Sequence, residues 1–410
     1  MTEIDPAFAA PTVRHYHNVA ANSGTYPEDL AAILGPAEAA AAWDEIGSWP
    51  GYAATPLRSL DRLAETLGLA GIYYKDEGDR FGLGSFKALG GAYAVLRLLV
   101  REISEKRGEA VDAAAVRTGS YREMAHTITV VTATDGNHGR SVAWGAQRFG
   151  ARCIIYIHAN VSEGRKAAME ALGAEVIRIE GDYDESVRRA SADADKNGWF
   201  VVSDTSYEGY LELPRLVMAG YTVMAAETRG QMPSGTAPSH VFLQGGVGGL
   251  AAAVASDLWS AMGETRPRFV VVEPERADCL YQSAVNGRPT AVTIAEETIM
   301  AGLSCGEVSE LAWQILRRGT DDFLTIPDDL IAPAMRGLAA ADYSTRPVVA
   351  GESAVAGLAA LIAVRQDDSL SSALGLAPHS RVLLFGTEGA TDPEIYRGIV
   401  GRDAAEVAAA

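Results

Sequence analysis

The sequence predicts an α/β protein of two lobes, each built on a parallel-rich sheet covered by helices. Two observations carry that expectation. Apolar strands alternate with amphipathic helical stretches from about Gly71 to Thr387, the pattern of parallel strands joined by helical crossovers. Within that run, apolar stretches end in glycine turns that open helices, at 132–140 and at 244–250.

The most regular stretch is a compact β/α block. Its expected elements are strand Ile128–Val131, helix His138–Phe149, strand Arg152–Ile157, helix Ser162–Leu172, strand Glu175–Ile179, helix Tyr183–Ala194 and strand Phe200–Val202. We expect this block to form a smaller lobe, residues 93–214, inserted into a larger lobe made of 1–92 and 215–410. A chain of 410 residues buries a large core and suits two lobes better than three domains. No repeat is visible, and the only low-complexity stretches are the alanine-rich ends.

Composition narrows the function. A net charge of −18 with no basic run argues against nucleic acid and anionic membranes as partners. The segment Met1–Ala10 lacks the basic stretch and apolar core of a leader, and no apolar run is long enough to span a bilayer. A cytoplasmic protein is expected. Three cysteines without a Cys-x-x-Cys pair give neither a zinc ribbon nor a disulfide framework, and no metal site is expected. Cys153 reads as core. Cys279 and Cys305 lie in segments that read as loops, and whether they pair is left open, because the cytosol keeps most thiols reduced.

Lys87 is the most informative residue. It ends the run Lys75-Asp76-Glu77-Gly78-Asp79-Arg80-Phe81-Gly82-Leu83-Gly84-Ser85-Phe86-Lys87 and opens the small-residue stretch Ala88-Leu89-Gly90-Gly91-Ala92. A lysine held against an apolar wall loses part of its hydration, its pKa falls, and it becomes a nucleophile toward an aldehyde. The aldehyde such a lysine suits is pyridoxal phosphate. A lone lysine at a helix start is more often an ordinary surface residue, so the reading depends on three further runs.

The first is Thr132-Ala133-Thr134-Asp135-Gly136-Asn137-His138-Gly139-Arg140. A strand, a glycine turn and a helix start leave unpaired backbone N–H groups, a seat for a substrate carboxylate, although an unliganded cap would look the same. Thr134, Gly136 and His138 are the candidate substrate contacts, and Asn137 adds a donor toward the cofactor. The second is Gln244-Gly245-Gly246-Val247-Gly248-Gly249, four glycines in the five positions 245–249, which lets backbone wrap a phosphate at a helix N-terminus. It is neither a Walker loop nor a dinucleotide fingerprint, and a mobile loop would read the same way. The third is Leu383-Leu384-Phe385-Gly386-Thr387-Glu388-Gly389, a buried strand whose end offers a neutral hydroxyl to a pyridine nitrogen.

In this order the runs resemble the fold-type II pyridoxal phosphate enzymes, which include threonine dehydratase, serine racemase and the tryptophan synthase β subunit. Together with Asp204-Thr205-Ser206-Tyr207-Glu208-Gly209-Tyr210, Thr298-Ile299-Met300-Ala301-Gly302-Leu303-Ser304-Cys305-Gly306 and Thr387-Glu388-Gly389-Ala390-Thr391-Asp392-Pro393, they are similar to the diaminopropionate ammonia-lyase family from about Tyr52 to Ile399. Asp135, where relatives carry a small residue, is the specific marker. Tyr207 stands where the family leads one to expect Trp, and Gly386 where many relatives place Ser, so Thr387 is the candidate for the pyridine nitrogen. Residues 104–127 match nothing assignable.

The resemblance implies α,β-elimination of 2,3-diaminopropionate to pyruvate and two ammonia by a homodimer. It makes Lys87 the covalent anchor of pyridoxal phosphate and Gly245, Gly246, Val247, Gly248 and Gly249 its phosphate loop. It also makes Asp135 and Asp204 the bases for the D- and L-isomers. Each carboxylate would need partial desolvation to raise its pKa enough to remove a carbon-bound proton. Lys87, once released, would shuttle a proton to the leaving amine. His138 is expected to position groups rather than act as a base, and Glu352 either supports the ring or forms a buried ion pair. Two rivals stay open: a related lyase or dehydratase acting on serine, threonine or another β-substituted amino acid, and a non-catalytic cofactor-binding protein.

Overall fold

The computed structural model describes residues 4–9, 11–134 and 136–410. Eleven strands are found among them: β1 (Arg14–His17), β2 (Leu57–Ser59), β3 (Gly71–Asp76), β4 (Thr129–Ala133), β5 (Arg152–Ile157), β6 (Glu175–Arg178), β7 (Phe200–Val201), β8 (His240–Gln244), β9 (Arg268–Pro274), β10 (Asp322–Ile326) and β11 (Arg381–Gly386). They form a seven-stranded sheet in the order β1-β10-β9-β8-β11-β3-β2 and a four-stranded sheet in the order β6-β5-β4-β7. The small sheet is parallel throughout, and the large one is parallel except at its two edge strands.

Contacts group the chain into two compact units. The larger comprises Met1–Pro36, Ala53–Ser85 and Met224–Ala410, and holds the seven-stranded sheet; the smaller comprises Ala37–Tyr52 and Phe86–Val223, and holds the four-stranded one. The smaller unit therefore reaches beyond the expected 93–214 at both ends. Helix packing accounts for this. The helix Lys87–Arg107 lies so close to the helix Asn137–Phe149 that a methyl on Gly91 would stand 2.5 Å from Ser141 Oγ, and one on Gly145 would stand 2.7 Å from the Ala92 Cα. Gly90 leaves room in the same way for Tyr221. Small residues at the helix start thus serve close helix approach, which alternation of apolar runs does not reveal. Trp49, from the other added segment, packs its ring on Trp144 and Phe149.

In the larger unit a core cluster packs the apolar helix Ala356–Arg365 against one face of the sheet, where it meets Phe242 of β8, Val270 and Val272 of β9, Leu324 and Ile326 of β10 and Leu384 of β11. The strands β8, β10 and β11 are almost wholly buried, which fits their apolar centres Val241–Leu243, Phe323–Leu324 and Val382–Phe385. Cys279, expected in a loop, instead opens the helix Cys279–Asn286 and is buried. Cys153 lies buried in β5 as expected, and no disulfide joins Cys279 to Cys305. Residues 104–127 complete the helix Lys87–Arg107 and add two short helices, Ala113–Arg117 and Arg122–Ala125. No helix among the described residues is long and apolar enough to cross a membrane.

Candidate active site

In the smaller unit, two loops leave the C-terminal ends of neighbouring parallel strands, the usual place for a site in such a sheet. One follows β4 and leads from Thr134 into the helix Asn137–Phe149, whose second residue is His138; the other follows β7 and carries Ser203 to Tyr210. Asp135 lies outside the described residues. Thr134 is buried, and its hydroxyl accepts from the amides of Gly136 and Gly139, so it caps the helix Asn137–Phe149. Asn137 is the first residue of that helix.

Lys87 begins the neighbouring helix, and its backbone is fixed by Ser141, whose hydroxyl donates to the Lys87 carbonyl at 2.6 Å and accepts from the Ala92 amide at 3.1 Å. The Lys87 ammonium donates a hydrogen bond to Asp204 Oδ2. It lies 5.6 Å from the centroid of the Phe86 ring and 5.9 Å from that of Tyr221. An apolar wall is therefore present, and with it an anionic partner that the sequence did not disclose. His138 donates from Nε2 to the Val202 carbonyl at 2.9 Å, and its Nδ1 stands 3.8 Å from Asp204 Oδ2.

These neighbours reverse the expected pKa shift of Asp204. Burial by itself would raise the carboxyl, but the Lys87 ammonium outweighs it and holds Asp204 well below the usual carboxylate range. Burial lowers the His138 imidazole, with Asp204 opposing and Lys87 reinforcing the shift. Tyr210 was not singled out from the sequence. Its hydroxyl accepts from the Ser203 amide at 3.0 Å and donates to the Val201 carbonyl at 2.9 Å, pinning the turn that carries Asp204. Tyr207 stacks on Tyr210 with ring centroids 5.1 Å apart and is itself exposed.

The larger unit carries the glycine loop. It joins β8 to the helix Gly249–Met262, with Gly246 at φ +61° and Gly248 at φ +97°. Gly245 donates to Val272, and Val247 accepts from Ser309. Among the described residues the amides of Gly246 and Val247 have no acceptor, and Gly246 is buried. Buried donors on left-handed glycine backbone at a helix N-terminus fit a phosphate group. A methyl on Gly245 would lie 2.4 Å from Glu273 Cγ, so the loop rests on a buried carboxyl at the end of β9. Glu273 accepts from the amides of Leu280 and Tyr281, and burial pushes it up to about 8.

At the end of β11 the backbone is closely packed. A methyl on Gly386 would stand 2.1 Å from the buried Tyr74 ring, so no side chain fits there. Thr387 is the first residue of that strand end able to offer a hydroxyl, and it is buried. Nearby, Glu388 accepts from the Ser353 amide, and the Ser353 hydroxyl accepts from the Gly302 amide, so Ser353 ties the run 298–306 to the run 387–393. Glu352 is buried beside them.

A family model described as pyridoxal-phosphate dependent enzyme matches residues 49–385. The diaminopropionate ammonia-lyase of Salmonella typhimurium is 40% identical over 365 residues, covering 87% of this chain and 90% of that protein. The crystal structure of the holo diaminopropionate ammonia lyase from Escherichia coli superposes with a TM-score of 0.86 at 37% identity, over 95% of this chain and 97% of that one. The same enzyme in complex with an aminoacrylate-PLP azomethine reaction intermediate superposes with a TM-score of 0.84 at the same identity and coverage. The chain belongs to the pyridoxal-phosphate-dependent enzyme family, alongside the diaminopropionate ammonia-lyases.

Proposed function

We propose that this protein is a diaminopropionate ammonia-lyase, which eliminates ammonia from 2,3-diaminopropionate and yields pyruvate and a second ammonia. The pairing of Lys87 with Asp204 carries the reading, because it joins a cofactor-anchoring amine to a carboxylate able to act as a base. Pyridoxal phosphate, when bound, supplies a conjugated ring that stabilises the electron pair left at the substrate's α-carbon.

The chain's own residues do the rest. Lys87 anchors the cofactor, Gly245 to Gly249 hold its phosphate with backbone donors, and Thr387 meets the pyridine nitrogen with a neutral hydroxyl, with Asn137 as a further donor. Thr134, Gly136 and His138 order the loop that faces the substrate. Asp204 removes the α-proton of the L-isomer, and Asp135 that of the D-isomer. Once Lys87 is a neutral amine, Asp204 lacks its main counter-ion, and burial then pushes its carboxyl upward, toward the range a base for a carbon-bound proton needs. We further read the enzyme as a cytoplasmic homodimer.

The test is a substrate panel with purified protein, scoring pyruvate and ammonia from D- and L-diaminopropionate, serine and threonine. Diaminopropionate is expected to turn over fastest, with two ammonia per pyruvate. Faster release of pyruvate from serine, or of the corresponding oxo acid from threonine, would replace this reading with that of a dehydratase.

A further inference from the structure

A neutral imidazole has one N–H to give. The Val202 carbonyl can only accept, and His138 Nε2 lies 2.9 Å from it, so the proton sits on Nε2 and Nδ1 carries a lone pair. The ring is buried, and Nδ1 has no hydrogen-bond partner among the described residues. An unsatisfied buried acceptor costs free energy that a purely structural histidine has no reason to bear.

That lone pair faces Asp204 Oδ2 at 3.8 Å, and the same oxygen accepts from the Lys87 ammonium. A lone pair set behind a carboxylate is repelled by it until a proton lies between them. The separation is about 1 Å beyond a hydrogen bond, a gap that rotation of the carboxylate can cover once Lys87 releases it. The charged groups that act on the ring are Asp204, from the loop after β7, and Lys87, from its own helix start.

We propose that His138 is the proton-relay residue behind Asp204: the proton that Asp204 takes from the α-carbon of an L-amino-acid substrate passes on to His138 Nδ1. The inference rests on the reading of Asp204 as the base for the L-isomer. In the first transfer the C–H bond breaks, its electron pair stays on carbon, and an O–H bond forms at Oδ2. In the second that O–H bond breaks as an N–H bond forms at Nδ1, which leaves an imidazolium beside a carboxylate. The proton returns by the same route to the β-amino nitrogen, which departs as ammonia with its bonding pair. Holding the proton on His138 keeps Asp204 from handing it straight back to the α-carbon. His138 acts through Asp204 and is a positioning residue in that sense.

The experiment uses the holoenzyme and its His138→Gln variant, whose amide can still donate to Val202 but cannot carry the proton. The expected result is a roughly 10- to 100-fold fall in the ratio of kcat for L- to kcat for D-diaminopropionate. The acid limb of the L-isomer pH profile, where a protonated His138 cannot accept, should vanish in the variant. Nitrogen NMR of His138 in the wild-type holoenzyme should show the Nε2–H form, and its titration midpoint should fall in Asp204→Asn, because the carboxylate favours the charged ring. An Nδ1–H form, an unchanged L-to-D ratio or an unmoved midpoint overturns the relay. If Asp204→Asn itself spares L-isomer turnover, the base assignment has failed; if that variant is inactive on the L-isomer while His138→Gln is unaffected, the relay alone has failed.

Discussion

Lys87 and Asp204, 117 residues apart in sequence, are hydrogen-bonded to each other, and that bond sets the charge state of the carboxylate in the proposed chemistry. It holds Asp204 ionised in a pocket where burial alone would protonate it. It also keeps the lysine beside the Phe86 and Tyr221 rings, at the start of its helix.

Lys87→Ala should therefore have two separable effects. Covalent attachment of the cofactor, trapped by borohydride and located by mass spectrometry, should be lost. Asp204 should also lose the counter-ion that keeps it anionic, so its carboxyl should titrate higher than in the wild type, as read by carbon NMR of the labelled side chain. A trapped adduct on another lysine would remove Lys87 from its role.

The glycine loop offers a comparison between two neighbours. A methyl on Gly246 meets nothing nearer than 3.5 Å, whereas one on Gly248 stands 3.0 Å from Leu316 Cδ1 and 3.1 Å from Ala312 Cβ. Both have positive φ, so each alanine costs about 1 kcal/mol of backbone strain. Gly246→Ala should weaken cofactor binding with a small drop in the Tm of the cofactor-free protein, and Gly248→Ala should lower that Tm further through overpacking. Unchanged cofactor affinity in a well-folded Gly246→Ala would place the phosphate elsewhere.

Glu273, beneath that loop, gives a pH prediction. Its folded pKa of about 8 lies above the unfolded value of about 4.3, so the folded state holds the proton more tightly. The contribution to stability is complete below the unfolded value and is lost as pH rises through about 8. Tm of the wild type should decline on the alkaline side of neutrality, and Glu273→Gln, which keeps an acceptor for the Leu280 and Tyr281 amides, should flatten that decline. Identical pH profiles for the two proteins would show that Glu273 is ionised when folded.

What the sequence made legible was local. The strands β5, β8 and β11 are continuous apolar runs bounded by turns, and their positions followed from that. The edge strands β1 and β2 were not foreseen: they have only four and three residues, and neither contains a buried one. The association of Ala37–Tyr52 with the smaller unit depends on Trp49 meeting Trp144 and Phe149, a contact across about a hundred residues that no periodicity records. In the site, Lys87, His138 and Asp204 were found as members of separate runs. Their mutual arrangement was not, and so the direction of the Asp204 shift was misjudged. Tyr210 lay inside a recognised run without a role, because a hydroxyl that holds a backbone turn leaves no mark in composition.

The last prediction separates the two carboxylates. Enantiomers held by the same groups present their α-hydrogens to opposite faces of the substrate plane, and a base displaced by several ångströms loses rate steeply. One carboxylate cannot then serve both. Asp204→Asn should suppress turnover of L-diaminopropionate by roughly 100-fold or more and spare the D-isomer far better, while Asp135→Asn should do the reverse. Both changes are nearly isosteric, and neither removes Lys87 or the glycine loop, so cofactor binding should survive. The measurement is kcat/KM for each enantiomer, with cofactor content determined on the same samples. If either substitution reduced both enantiomers equally with the cofactor still bound, a single base shared by the two isomers would replace the pair, and Lys87, which donates a hydrogen bond to Asp204, would be that base once it has given up its proton.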